Sequence, residues 1–276
     1  MPWWQAIFSG FLDPFFIRLD SLVCIFALTF TRYQLQSIEL WRGFMWQEFC
    51  TSLKASVDFF LPPACLLCGQ RLQGSTRQQP DFCEACMAGV TPLGPAHCCL
   101  CAQPFADATS SHLCGACLQL PPRFTRVHAA GRYRGSIKDA VHLLKHRNQL
   151  ALAKPLGLIL GKVVTDNGTA GPLDYIVPVP LHPHRLRRRG YNQALEIARP
   201  LSRQLGLPIE AGLLQRSRKT PPQQGLPADQ RSRNLRNAFR LAGQATGSKV
   251  LLVDDIMTTG ETVRECCRTL LQGGAE

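Results

Sequence analysis

The stretch that most limits what this chain can fold into is residues 250–262, VLLVDDIMTTGET. Its four apolar residues predict a buried strand, which ends at two adjacent acids, Asp254 and Asp255. After a threonine-rich turn, the pattern over residues 262–271 predicts a helix that stops at Gly273. In open α/β sheets, ligands bind beyond the carboxyl ends of the strands. The two acids are therefore predicted to lie in a ligand-binding crevice.

The turn that follows the acids has the features of a phosphate-binding loop. The first amides of the next helix are free donors, Gly260 permits close approach of the backbone, and the threonine hydroxyls add further donors. Two carboxylates beside a phosphate repel it unless they bind something else. Sugar hydroxyls, which donate hydrogen bonds, fit that role. The stretch therefore predicts a site for a phosphorylated sugar.

Alternating strand and helix signals upstream favour a parallel α/β sheet flanked by helices. Strands are predicted over residues 127–133 and 174–179. Apolar residues at helical spacing cover residues 137–144 and 194–205, and Gly206 ends the second helix. The sequence stops where an α/β unit would turn into another strand. We therefore expect the C-terminal strand of this sheet to be missing.

Eight of the thirteen cysteines form four C-x-x-C pairs. Each C-x-x-C turn aims two thiolates at one point, and two such turns complete a tetrahedral zinc shell. The spacing predicts two structural zinc sites, because so short a segment does not build a core of its own. A single redox-active pair is a weaker hypothesis, since such motifs do not occur in fours. The predicted ligands, paired either sequentially or in an interleaved order, are Cys65, Cys68, Cys83, Cys86, Cys98, Cys101, Cys114 and Cys117.

The formal net charge of +12 is concentrated in one part of the chain. Residues 181–240 contain thirteen Lys or Arg residues against three Asp or Glu residues. Such a cluster is typical of a chain that binds a polyanion, either the phosphates of a small molecule or nucleic acid. A solvated basic surface explains the same charge equally well.

The composition and cysteine pattern also suggest an organisation into three parts. Residues 1–57 are an N-terminal extension of uncertain status, with Met45 as an alternative start. They lack the basic n-region of a signal peptide, and no apolar run is long enough to span a bilayer. A double zinc ribbon over residues 58–120 and an α/β domain over residues 121–276 follow. Cysteines that bind a metal must stay reduced, and this favours a reducing compartment, the cytoplasm.

The stretch VLLVDDIMTTGET resembles the signature of type I phosphoribosyltransferases. This resemblance implies a fold of that type and a site for phosphoribosyl pyrophosphate (PRPP) with Mg²⁺. It places Asp254 and Asp255 on the ribose hydroxyls and the turn on the 5-phosphate. The turn residues concerned are Thr258, Thr259, Gly260, Glu261 and Thr262.

Two further blocks narrow the resemblance to the ComF/GntX family, which also carries an N-terminal double zinc ribbon. They are PVPLHPHRLRRRGYNQA at residues 178–194 and the pattern that runs from Gln223 to Phe239. Arg189 belongs to the RGYNQ signature, and with Arg187 and Arg188 it is a candidate to neutralise pyrophosphate beside Mg²⁺.

A second set of candidates lies where these enzymes carry a flexible loop that closes over PRPP, here residues 216–236. The candidates in this loop are Arg218, Lys219, Gln223, Arg231 and Arg233.

The family resemblance implies a role in competence, DNA uptake and the handling of single-stranded DNA. It also implies transfer of phosphoribose, with Asp254, Asp255 and Arg189 as catalytic residues and an acceptor that the sequence does not name. Two alternatives remain open. One is a salvage enzyme that acts on a nucleobase, and the other is a non-catalytic sensor that keeps the PRPP fold.

Overall fold

The computed structural model describes residues 62–72, 81–106, 109–169, 171–218 and 235–276. Nearly all of these residues belong to one compact unit, Pro63–Glu276. The extension predicted over residues 1–57, with its alternative start at Met45, lies outside them. Among the helices that are described, none is both long enough and apolar enough to cross a membrane.

Within the described residues of this unit, two short helices in the cysteine-rich segment are followed by five helices and four strands. A single 3₁₀ turn, Leu150–Leu152, joins the third and fourth helices. In chain order the elements are α1 (Glu84–Ala88), α2 (Gly115–Gln119), α3 (Gly135–His146), α4 (Ala153–Asn167), β1 (Tyr175–Pro178), α5 (Pro183–Arg189), α6 (Gln193–Leu205), β2 (Leu214–Arg216), β3 (Phe239–Leu241), β4 (Val250–Val253) and α7 (Glu261–Gln272).

Strands β1 and β4 form the parallel pair that the sequence predicted, with Tyr175 opposite Val250 and Pro178 opposite Val253. The pairing extends one bond further, where Val179 N donates to Val253 O over 2.8 Å. Parallel pairing brings the carboxyl ends of both strands to one edge. The loops that follow β1 and β4 therefore open at the same place. Separately, β2 and β3 form an antiparallel pair.

The main core lies between α3, α4, α6 and the β1–β4 pair. The apolar face predicted for residues 194–205 is buried, and Leu201 at its centre is fully buried. Burial of such a leucine contributes about 2 kcal/mol. The helix ends at Gly206, which has the left-handed φ of +69° that a C-terminal glycine cap requires. These helices support the edge at which β1 and β4 end.

The prediction of a strand over residues 127–133 is wrong. Its backbone makes no ladder with a neighbouring strand within the part of the chain that is described. Instead, Val127 N donates to Leu100 O over 2.8 Å, and Arg132 N donates to Thr91 O over the same distance. Both acceptors lie in the cysteine-rich segment. The cysteine-rich segment, and not a neighbouring strand, therefore supplies these backbone hydrogen-bond partners.

The first half of the cysteine-rich segment packs into the main core. Cys65, Phe82 and Cys83 are buried in the same apolar cluster as the helices of the α/β part. A partly shielded ion pair joins the two parts as well, with Lys154 Nζ 2.8 Å from Asp81 Oδ2. The ribbon therefore contributes directly to the core of this unit.

Candidate ligand site and metal centres

The two acids stand at the carboxyl end of β4 in different environments. Asp255 Oδ2 lies 2.8 Å from Lys145 Nζ, and only 11% of the Asp255 side chain is exposed. Asp254 Oδ1 accepts a hydrogen bond from Asp255 N over 2.8 Å. Burial, and next the charge of Asp255, raise the pKa of Asp254 to about 8. The raised pKa favours the neutral form of Asp254 at neutral pH, which lowers the repulsion of an anionic ligand.

The turn after the acids is shaped by Gly260, which has a left-handed φ of +78°. A Cβ atom at this position would lie 2.8 Å from Met257 Cε, the end of a flexible side chain that would have to move, so the left-handed φ is what chiefly favours glycine here. Helix α7 starts here, and no side chain caps it among the described residues. Its first intrahelical bond runs from Arg264 N to Gly260 O. A helix start of this kind can bind an anion.

A short basic helix follows β1 at the same edge. In α5, Pro183 occupies the first turn, the His182 ring accepts from His184 N over 3.2 Å, and Gly190 ends the helix with φ +86°. Burial, then the charges of Arg189 and Arg188, lower the pKa of Arg185. Neighbouring guanidinium groups therefore act on one another, which favours an anionic partner for this helix.

The segment between α5 and α6 is tied to the end of β1. Asn192 Nδ2 donates to Val179 O over 3.0 Å, and Asn192 Oδ1 accepts from Ala194 N over 3.1 Å at the start of α6. The buried Tyr191 donates its hydroxyl hydrogen to Leu144 O in α3. These bonds fix the ends of α3, α5 and α6 around the loop that follows β1.

A cavity of about 330 Å³ borders the acids. Asp254, Asp255 and Met257 line one side, and residues 123–131 line another. Aliphatic side chains make up much of its wall, and Arg123, Arg126 and His128 add polar groups to those of the acids. The cavity leaves space beside the carboxyl end of β4 for a small organic group.

The eight predicted zinc ligands form two groups of four, in sequential order. Within each group the sulfur atoms all lie within 4.8 Å of one another. Cys68 Sγ lies 3.5 Å from Cys83 Sγ, and Cys101 Sγ lies 3.7 Å from Cys114 Sγ. Tetrahedral zinc with bonds of about 2.3 Å separates its sulfur ligands by about 3.8 Å. The groups therefore fit zinc. Their members are Cys65, Cys68, Cys83 and Cys86, then Cys98, Cys101, Cys114 and Cys117.

The first cysteine of each group has a lowered thiol pKa. Burial opposes ionisation of the Cys65 thiol, but backbone N–H groups, first that of Cys68, outweigh it and lower its pKa to about 6. The same balance, with the N–H of Cys101 first among the donors, lowers the pKa of Cys98 to about 6. Zinc binds the thiolate form, so these backbone hydrogen bonds favour metal binding.

Known proteins match both parts of this architecture. Residues 56–118 match the double zinc ribbon domain, and residues 192–276 match the phosphoribosyl transferase domain. The chain is 41% identical over 172 residues to DNA utilization protein YhgH of Escherichia coli (strain K12), covering 61% of this chain and 76% of the relative. It is 36% identical over 169 residues to Competence protein F of Haemophilus influenzae, covering 59% of this chain and 74% of the relative. The chain belongs to the ComF family.

A third relative of this ComF-family chain, DNA utilization protein YhgH of Salmonella typhi, is 40% identical over 165 residues, with 59% of this chain and 73% of the relative covered. A search of solved structures gave no match. The family assignment and the cysteine groups together support structural zinc in the ribbon.

Several residues predicted for the ligand site lie together in the ComF-family chain. Asp254 and Asp255 adjoin the turn at the start of α7, and both Thr258 and Thr259 are exposed in it. Arg189 lies at the end of the basic helix, close enough for its charge to lower the pKa of His146 in α3. Four of the predicted loop residues lie outside the described residues; they are Lys219, Gln223, Arg231 and Arg233. The fifth, Arg218, donates from Nη2 to Arg236 O over 2.9 Å.

Sequence reasoning missed Lys145, although it makes the closest contact with Asp255. It follows the apolar helical pattern of residues 137–144, where a lysine normally marks the solvent-facing side. The sequence offers no local signal for this contact, because the two residues belong to elements far apart in the chain.

Proposed function

We propose that this ComF-family chain binds PRPP with Mg²⁺ at the carboxyl end of β4. The observation that carries the proposal is the position of the start of α7, directly after the two acids and without a side-chain cap from any described residue. In this arrangement the α7 amides and the threonine hydroxyls receive the 5-phosphate, while Asp254 and Asp255 accept hydrogen bonds from the ribose hydroxyls. Mg²⁺ enters with the pyrophosphate, whose negative charge it neutralises.

Electrostatics supports a sugar between the acids and the phosphate. With the pKa of Asp254 at about 8, one acid is largely protonated at neutral pH and the other is paired with Lys145. The residual charge is then small enough for an anionic ligand to approach. The protonated carboxyl can also donate a hydrogen bond, so either acid can serve a ribose hydroxyl.

We infer a role in the use of DNA from the names of the relatives and from the basic charge. The relatives are called DNA utilization protein and competence protein. The basic helix α5, with exposed Arg187 and Arg188, suits contact with the phosphates of single-stranded DNA. In this proposal the protein acts in the cytoplasm with the machinery of DNA uptake.

Transfer of phosphoribose to an acceptor is the second candidate function, and the cavity of about 330 Å³ beside the acids favours it. In such a reaction the bond from ribose C1 to pyrophosphate breaks, the acceptor forms a new bond to C1, and the acceptor gives up a proton. Mg²⁺, where bound with the pyrophosphate, would stabilise the negative charge of this leaving group. A nucleobase is one class of acceptor that a cavity of this size accepts. Pyrophosphate release that depends on an added nucleobase would support the salvage alternative.

The decisive test is calorimetric titration of PRPP with Mg²⁺ into the zinc-loaded full chain. We expect saturable binding that Asp254→Asn/Asp255→Asn abolishes. Asp139→Asn, an exposed acid on α3, is the matched control and should bind as the wild type does. If the folded wild type does not bind, the PRPP site is refuted.

The role with DNA requires a separate measurement. Fluorescence anisotropy with a labelled single-stranded oligonucleotide should show binding. The logarithm of the association constant should fall linearly with the logarithm of the salt concentration. Arg187→Gln/Arg188→Gln should make the negative slope of this plot shallower by about 1.4, since each phosphate contact to a single strand contributes about 0.7. No binding even at low salt would contradict the role.

A further inference from the structure

Lys145 reaches the ligand edge from the last turn of α3. Its Nζ atom lies 2.8 Å from Asp255 Oδ2, and the exposed fractions of the two side chains are 23% and 11%. A pair this shielded is less screened by salt than an ion pair on the open surface. The charge of Lys145 also lowers the pKa of Asp254, after the larger opposing effects of burial and Asp255. One amine therefore acts on both acids.

An ammonium group has three N–H donors, and the contact with Asp255 uses one of them. The other two are available to oxygen atoms of a ligand or to water. Lys145 can therefore keep Asp255 in place and bind an anionic group of the ligand at the same time.

Arg189 brings a second permanent positive charge near the end of α3. Burial, then the charges of His142, Arg189 and Lys145, lower the pKa of His146. The rings of His142 and His146 lie 4.8 Å apart. Like charges held together cost free energy that a bound anion removes. If the turn before α7 takes the 5-phosphate, the pyrophosphate is the anion that remains for this cluster.

Tyr191 holds Lys145 in place through the backbone of α3. Its hydroxyl donates to the carbonyl of Leu144, the residue before Lys145, and lies 3.4 Å from Asn148 Oδ1. The next residue, Asn192, is bonded to Val179 O at the end of β1. The RGYNQ segment thus connects the end of α3 to the strand pair that carries the acids.

From these contacts we propose that Lys145 is a ligand-binding residue for the pyrophosphate group and that Tyr191 is the residue that positions it. The inference rests on the proposed PRPP site and deepens it. Without ligand, Lys145 neutralises Asp255. With ligand, the same amine bridges Asp255 and a pyrophosphate oxygen, so that the acids and the anion share one cation.

The test compares Lys145→Gln, Lys145→Arg and the wild type by calorimetry, with PRPP, pyrophosphate and ribose 5-phosphate as separate ligands, each with Mg²⁺. Lys145→Gln should weaken binding of PRPP and pyrophosphate about 10- to 100-fold, the range for one charge-assisted hydrogen bond. Binding of ribose 5-phosphate should change much less, and Lys145→Arg should restore most of the affinity for PRPP.

The matched control is Lys162→Gln, because Lys162 also pairs with an aspartate, Asp166, but is 75% exposed on α4. It should leave all three affinities unchanged. Equal weakening of pyrophosphate and ribose 5-phosphate by Lys145→Gln would show a structural role and overturn the inference. Unchanged PRPP binding would overturn the inference while leaving the PRPP site intact, whereas a wild type that does not bind PRPP overturns both.

The positioning role of Tyr191 is tested by a double-mutant cycle. Tyr191→Phe should weaken pyrophosphate binding in the wild-type background and have little further effect in Lys145→Gln, because it acts through the amine. An equal loss in both backgrounds would show that Tyr191 acts independently of Lys145.

Discussion

The two adjacent acids at the end of β4 have different protonation behaviour because they have different neighbours. Asp255 pairs directly with the ammonium group of Lys145 at 2.8 Å, while Asp254 accepts a backbone N–H and is more strongly affected by burial and by the charge of Asp255 than by that of Lys145. The sequence predicted the position of both acids at the end of a strand. It did not predict the difference between them, because that difference arises from a lysine contributed by another element.

The first prediction concerns Asp254→Asn. Because the pKa of Asp254 rises from 3.8 to about 8 on folding, its protonated form stabilises the protein fully below pH 3.8. That contribution is lost as pH rises through about 8. The neutral amide of the variant avoids the loss. The melting temperature of Asp254→Asn minus that of the wild type should therefore increase as pH rises from 5 to 9.

Differential scanning calorimetry across this range measures the effect. The exposed Asp139→Asn on α3 is the control, and its difference from the wild type should stay constant with pH. A pH-independent difference for Asp254→Asn would show that the folded protein does not raise the pKa of this carboxyl.

At the level of the elements, the strand, turn and helix around residues 250–272 follow closely from local sequence. Four apolar residues make a strand, and Gly260 has the backbone conformation that a tight turn needs. The segment over residues 127–133 shows the limit of such reasoning. Its residues favour an extended chain, but only the fold determines whether a strand or a zinc ribbon supplies its hydrogen-bond partners.

The second prediction compares Gly260→Ala with Gly247→Ala. Both glycines have a left-handed φ, +78° and +67°, so each substitution should cost about 1–2 kcal/mol of stability. Only at position 260 does the new Cβ meet another atom, Met257 Cε at 2.8 Å, and nothing lies within 4 Å of it at position 247. Met257 Cε can move aside, but position 260 lies in the turn proposed to bind the 5-phosphate. Relief of about 1–2 kcal/mol of backbone strain there should displace the turn amides, so Gly260→Ala should weaken PRPP binding about tenfold or more.

Chemical denaturation gives the stability loss, and calorimetric titration gives the affinity. Gly247→Ala serves as the control for backbone strain, since it should lose stability without losing affinity. Equal affinities for the two variants would argue against a role of this turn in ligand binding.

At the scale of the whole described unit, the two zinc groups are not equivalent. The spacing of the cysteines predicted both groups, but it left sequential and interleaved pairing open, because the C-x-x-C turns are local and their combination is not. Nor did spacing indicate which group supports the α/β part. Cys65 and Cys83 of the first group belong to the main core, whereas the second group is absent from the core clusters of the described residues.

The third prediction uses this asymmetry. Cys83 and Cys114 occupy the same place in their groups, since each precedes a five-residue helix as its N-cap. Either Ser substitution removes one zinc ligand and should release one equivalent of zinc. Cys83→Ser should lower the melting temperature of the whole unit more than Cys114→Ser does, because loss of the first metal loosens residues packed against α3 and α4.

Zinc content measured by mass spectrometry and unfolding followed by calorimetry test this together. Cys114→Ser is the matched control for the loss of a metal. Equal decreases in melting temperature for the two variants would mean that the first ribbon stabilises the α/β part no more than the second does.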